Sequence, residues 1–214
     1  MSYLVCGWYT PDYAPWAEKL IASLERVGAP HDIVAVPEMS GSWEAKTMAK
    51  PRHVLDAINR HPDRTVIFLD VDCDVRGDLS PLAGIGGDVG FHVRTKWRRS
   101  GGMRYGARSG TMVLQPTPGA RLYVEAWVAA AKDAPWGDVD QTPQMVAMGR
   151  CPGTSFTMLG AEWCATVGDK VAKPIIYHDS ASAKVRKIGP MERRLHRWWR
   201  SLAPRPASGA SSAG

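Results

Sequence analysis

Apolar residues follow two rhythms along this chain. "YLVCGWYT" (3–10) is a short unbroken apolar run, the pattern of a strand buried on both faces. Tyr13, Trp16, Ala17, Leu20, Ile21, Leu24 and Val27 then recur at the three-and-four spacing of one helix face. Asp12 is placed to cap that helix, Pro15 falls in its first turn, and Gly28 and Pro30 end it. "HDIVAV" (31–36) predicts a second strand, and Pro51 opens a helix with Val54, Leu55 and Ile58 on one side. "TVIFL" (65–69) is a strand without alternation, as expected where helices cover both sheet faces. Two strand–helix alternations before residue 70 predict a single α/β domain, its central mixed, mostly parallel sheet flanked by helices.

The second half is less regular. "DVGFHV" (88–93) and "TMVLQ" (111–115) read as strands, and "RTKWRRSGGMRYGARSG" (94–110) between them predicts a mobile loop from its glycines and like charges. Leu122, Tyr123, Ala126, Trp127 and Ala130 mark another helix, and "KPIIYH" (173–178) a late buried strand. The folded domain is therefore expected over residues 1–187, a basic amphipathic helix over 188–203, and a disordered tail over 204–214.

Composition narrows the class. The chain has 214 residues, 44% apolar, enough for one real core. No run approaches the roughly 20 apolar residues of a membrane span, and the start lacks the charged region of a signal peptide, so a soluble cytoplasmic protein is expected. Cys6, Cys73, Cys151 and Cys164 form no CxxC pair and predict buried free thiols rather than a structural zinc site. The net charge of +6 is local. One basic segment holds Arg94, Lys96, Arg98, Arg99, Arg104 and Arg108; another holds Lys184, Arg186, Lys187, Arg193, Arg194, Arg197, Arg200 and Arg205, opposed by Glu192. Without these fourteen cations and one acid, 13 basic residues face 20 acidic ones, a net of −7. Anionic ligands are implied.

The candidate chemistry lies in "VIFLDVDCDVRGDL" (66–79). Asp70, Asp72 and Asp74 would share one face if the strand ran on through them. Carboxylates crowded at the end of a central strand stand where open α/β sheets bind ligands, and a divalent cation relieves their repulsion. Oxygen ligands suit magnesium, manganese or calcium. A calcium-loop reading fails because Val75 and Pro81 stand where glycine and glutamate are needed. A haloacid-dehalogenase-type phosphatase shares the Asp-x-Asp after an apolar strand, but its later acidic motif has only "GDKVAK" (168–173), with Lys173 at the final acidic position.

Four stretches together point elsewhere. "FLDVDCDVRGDLSPL", "SGTMVLQPT", "DVDQTPQMV" and "KPIIYHDSASAKVRK" follow one another in an order and spacing that resemble the GT-A-fold glycosyltransferases, in particular the glycogenin and bacterial galactosyltransferase group. "GSWEAKTMAKPRHVLDAI" is similar to a helix start of related nucleotide-diphospho-sugar transferases, so the resemblance spans about Tyr3 to Lys187. It implies a GT-A-like, Rossmann-like domain and a metal-dependent transfer of sugar, with retention of configuration, from a nucleotide-diphosphate sugar to a hydroxyl. Asp72 and His178 would bind Mn2+ or Mg2+, and Asp70 the metal or the donor's ribose. Tyr9, Thr10 and Lys50 are candidates for the nucleotide, Ser109 and Gly110 for the donor sugar, and Lys184 with Arg186 for the diphosphate. Asp140 and Gln141 would lie beside the anomeric carbon. Ala181 departs from the family pattern, which has glycine there.

Two acceptor classes follow from the basic segments. Cations interleaved with Trp97 and Tyr105 suit DNA, for instance a hydroxymethylated base. The 188–203 stripe suits a membrane-surface glycan or lipid. A non-catalytic basic nucleic-acid-binding protein is the alternative outside enzymes.

Overall fold

Successive residues of the buried strands feed two different core layers, one on each side of a single sheet. The computed structural model describes residues 2–97, 102–135, 138–179 and 181. Strands β1 (Tyr3–Tyr9), β2 (His31–Ala35), β3 (Thr65–Leu69), β5 (Val89–Trp97), β6 (Met103–Leu114) and β7 (Phe156–Met158) form a six-stranded sheet in the order β2-β1-β3-β6-β5-β7. β1 is parallel to β2 and β3, β5 is parallel to β7, and β6 is antiparallel to both its neighbours. The sheet is thus mixed and mostly parallel, as predicted. A second sheet joins β4 (Cys73–Val75), β9 (Ile176–His178) and β8 (Ala165–Thr166) in that order.

Leu4, Cys6, Val66, Phe68, Met112 and Leu114 meet α3 (Lys50–Arg60) and α4 (Pro118–Lys132) through Val54, Ile58, Tyr123 and Trp127. Val5, Ile67, Leu69 and Val113 point the other way, into a core with Leu20 and Leu24 of α1 (Ala14–Arg26) and with Val75 and Ile176 of the small sheet. Period-two alternation into two apolar layers explains why these strands read as unbroken hydrophobic runs. Two further helices, α2 (Trp43–Thr47) and α5 (Gln141–Gly149), border the strand ends. Among the described residues no helix is long and apolar enough to cross a membrane.

Two local expectations are corrected. Asp12 does not cap α1: residues Pro11–Tyr13 form a 3-10 turn first, and the Asp12 carboxylate accepts the Thr10 hydroxyl instead. The segment 94–110 is largely strand. β5 and β6 stay paired from Val93↔Ala107 out to Trp97↔Met103, past a register shift between Phe91 and Val93. Cross-strand partners there outweigh the turn preference of the glycines. Gly102, with φ of 81°, takes up the left-handed backbone just before β6. The predicted helix over 188–203 and tail over 204–214 lie outside the described residues, as do Lys184 and Arg186.

Gly7 sits where β1 passes the end of β3. A Cβ there would stand 2.9 Å from the Leu69 carbonyl oxygen and 3.2 Å from Ile33 Cδ1. Since the nearer neighbour is backbone, Gly7→Ala should cost about 1–3 kcal/mol, read as a lower urea midpoint at unchanged slope.

Candidate active site

β3 stops at Leu69, and Asp70 to Asp72 carry the chain from the large sheet into the small one. The Asp70 N–H donates to the Gly110 carbonyl at 2.9 Å, fastening this crossing to β6. A cleft of about 790 Å³ opens beside it. Tyr9, Thr10, Lys50, Asp70, Asp72, Ser109, Gly110, Asp140, Gln141 and His178 all line that cleft, so every predicted site residue that is described meets there. Asp74 does not. Because the strand breaks after Leu69, the three aspartates do not share a face. Asp74 lies on β4 and binds Arg26 at 3.0 Å and Arg76 at 2.8 Å.

His178 reaches the aspartates through the small sheet, where Cys73 and His178 are paired residues of the β4–β9 ladder. Its Nδ1 lies 3.8 Å from Asp72 Oδ1 and its Nε2 3.0 Å from Thr111 Oγ1. The other Asp72 oxygen, Oδ2, accepts the Ala181 N–H at 2.8 Å. Ala181 is buried in helical backbone, so nothing at this position demands glycine. Burial alone would raise Asp72, but the hydrogen bond and charge of His178 hold its carboxyl below the usual range. Burial alone would lower His178, but Cys73 and Asp72 beside it hold the imidazole well above its ordinary value.

Gly110 makes the approach possible. A Cβ there would stand 2.6 Å from His178 Cε1, 3.0 Å from Nδ1 and 3.2 Å from Asp70 Oδ2. The imidazole and the first aspartate therefore converge over a bare backbone position.

Lys50 occupies the other half of the site. It opens α3, where the helix dipole disfavours a cation, and it is 8% exposed. Two carboxylates offset both costs. Its Nζ lies 2.8 Å from Asp70 Oδ1 and 3.0 Å from Asp140 Oδ2, and it donates to Ser109 Oγ at 3.1 Å. Burial would lower Lys50; Asp140 and Asp70 outweigh it and raise the ammonium above its ordinary value. Burial raises the Asp70 carboxyl above the usual range, with Lys50 opposing. The Ser109 hydroxyl also bonds Asp140 Oδ2. Trp127 Nε1, fully buried on α4, donates to the Asp140 carbonyl at 2.9 Å and fixes the start of α5.

The basic segment is partly committed elsewhere. Arg108 is buried and donates to the Cys164 carbonyl at 2.6 Å and to Asp169 at 2.9 Å. Arg94 lies 3.5 Å from the same Asp169. Asp169, the acid of the segment weighed for a phosphatase, is thus bound to arginines. Sequence reasoning missed Arg108 as a structural cation and Thr111 as the partner of His178. The second was available, since Ser109 and Thr111 are two apart on one strand and face the same way. All four cysteines are buried and free, as expected.

No protein-family profile and no curated protein sequence matches the chain. Solved structures do. A glycosyltransferase involved in the glycosylation of the major capsid of PBCV-1 superposes with a TM-score of 0.68 at 13% identity, over 87% of this chain and 98% of that one. The glycosyltransferase GlyE of Streptococcus pneumoniae TIGR4 gives 0.58 at 14% identity, over 94% of this chain and 60% of that one. The galactosyltransferase LgtC, solved with donor and acceptor sugar analogs, gives 0.53 at 14% identity, over 95% and 98%. The architecture is an α/β fold with a cleft at the ends of the central strands β1 and β3, beside β6. More narrowly, it is the GT-A fold of these glycosyltransferases.

Proposed function

We propose that the protein is a metal-dependent glycosyltransferase that moves a sugar from a nucleotide-diphosphate donor to a hydroxyl acceptor, with retention. The observation that carries this reading is the meeting of Asp70, Asp72 and His178 in one cleft with Lys50 and Asp140. Two carboxylates and an imidazole are a donor set suited to Mn2+ or Mg2+, and the space above Gly110 is what a Cβ would fill. Asp70, Asp72 and His178 would hold the ion. A cation there stabilises the charge gathering on a departing diphosphate. Lys50 joins Asp70 to Asp140, so the metal end and the sugar end of the cleft are set by one buried ammonium. Ser109 and Trp127 fix Asp140, which would position the sugar or the acceptor. Tyr9 and Thr10 border the nucleotide side.

For the acceptor we favour a glycan hydroxyl over a base in DNA or a lipid. Arg94 and Arg108 of the segment read as a phosphate-binding loop are engaged by Asp169. LgtC was solved with an acceptor sugar analog.

Incubation with manganese and a panel of nucleotide sugars should release nucleoside diphosphate, and a chelator should stop it. No release from any donor would refute the reading. Asp140→Asn should lower sugar transfer about 10²-fold through misplacement while donor affinity stays within a few-fold. Loss of donor binding would instead place Asp140 in donor capture. Gly110→Ala should weaken manganese binding about 10- to 100-fold, measured by the free-ion electron paramagnetic resonance signal. Unchanged affinity would remove Gly110 from the site.

A further inference from the structure

We infer that the cleft wall formed by Arg94, Gly106 and Arg108 receives an oxyanion, a carboxylate or a phosphate ester, carried by the acceptor sugar. The inference rests on the transferase reading and narrows its acceptor from any glycan hydroxyl to an acidic glycan. All three residues line the cleft. Arg94 and Gly106 are partners in the β5–β6 ladder, so both project from one face of the hairpin. A Cβ on Gly106 would meet nothing within 4 Å, so the wall is open beside Arg94. Asp169 gathers the two arginines at one place. Its Oδ2 lies 2.9 Å from Arg108 Nη1 and its Oδ1 3.5 Å from Arg94 Nη2.

The two arginines differ in freedom. The Arg108 side chain is 10% exposed, and the Cys164 carbonyl at 2.6 Å and Asp169 fix its guanidinium. The Arg94 side chain is 49% exposed and comes no closer to Asp169 than 3.5 Å, so its N–H donors can meet an incoming oxygen. Asp169 is itself anchored, because Oδ2 also accepts the Thr166 N–H and hydroxyl, each at 3.0 Å. Two positive charges against one leave a single positive charge on this wall. That suits one oxyanion and falls short of the repeated phosphates of a nucleic acid. Elsewhere in the cleft Asp70, Asp72 and Asp140 surround Lys50 and His178 and would repel an acidic substituent. Half-exposed, Arg94 stands at the mouth, where an acceptor enters over a donor already seated at the metal end.

The test measures binding of methyl glucuronide, glucose 6-phosphate and neutral methyl glucoside to the full chain by ligand-observed NMR, with no donor present. At least one acidic sugar should bind about 10-fold more tightly than the neutral one, and the tighter of the two names the oxyanion. Arg94→Ala should remove that advantage. Gly106→Val, which fills the opening, should weaken the acidic sugar about 10-fold. Arg121→Ala, on α4, should change neither value. Equal binding of acidic and neutral sugars by the wild-type protein would overturn the inference, as would an advantage that survives Arg94→Ala. A fall in nucleoside diphosphate affinity in Arg94→Ala would place these arginines on the donor and overturn it too. Because the wild-type comparison decides the first point, misfolding of a variant does not rescue or sink it. Manganese-dependent donor hydrolysis, measured separately, reports the transferase reading. Hydrolysis without acid preference sinks this inference alone, and acid preference without hydrolysis sinks that reading and leaves an oxyanion site.

Discussion

Asp72→Asn is expected to lower manganese-dependent turnover of the donor about 10³-fold, with the fold intact. The substitution keeps the shape and an oxygen that can still accept the Ala181 N–H. What it removes is the negative charge facing His178 and the cleft. A metal at a departing diphosphate is worth several kcal/mol of transition-state stabilisation, and about 4 kcal/mol corresponds to a thousandfold in rate. Stability should fall only in part, because the charge paired with His178 is lost while the Ala181 N–H keeps its acceptor. Parallel measurements of initial rate and thermal midpoint check both halves. Near wild-type turnover in the variant would show that Asp72 does not hold the cation.

The second large effect should fall on stability. Lys50→Met leaves Asp70 and Asp140 in the cleft wall without the ammonium that both approach within 3.0 Å. Breaking a buried pair by removing one partner costs about 3–5 kcal/mol, since the remaining charge stays desolvated. For a domain of this size that corresponds to a fall in thermal midpoint of about 10 °C. The pH dependence has a definite sign. In the wild type the raised Lys50 value makes its contribution fully present below the ordinary lysine range and lost only as pH rises through the folded value. In the variant the Asp70 carboxyl, raised by burial, loses the ammonium that opposes that rise and binds protons more readily folded than unfolded, so the deficit should shrink as pH falls towards 4. Adding Asp140→Asn to Lys50→Met should recover part of the loss. A deficit that is the same at pH 5 and pH 8, with no recovery in the double variant, would refute this account of Lys50.

The sequence carried most of the frame because both rhythms were driven by burial. The all-buried β3, the face of α1, and the proline opening α3 were each set by local pattern. Errors arose where tertiary contact overruled local preference. Glycines and arginines at 94–110 look like a loop, yet Arg94 pairs with Gly106 and Lys96 with Arg104 in the β5–β6 ladder. Asp74 looks equivalent to Asp70 and Asp72 until the chain changes sheets between Leu69 and Cys73. The weight borne by Lys50 was invisible because neither of its acids is near it in sequence. Asp70 is twenty residues away, and Asp140 is reached only through the packing of α3, β6 and α5. Thr111 and Cys73 escaped notice for the same reason: each matters through His178, which β9 delivers.

That delivery has a temporal side. Cys73 and His178 are 105 residues apart, and the short ladder between them brings the imidazole to the aspartates. A growing polypeptide that has emerged only as far as α5 has its acidic hook complete and its imidazole unmade. Closing so long a loop is entropically late, so competence to grip a cation should be among the last properties acquired during refolding. Recovery of metal binding then becomes a clock for the final closure of the domain, trailing the return of helical signal.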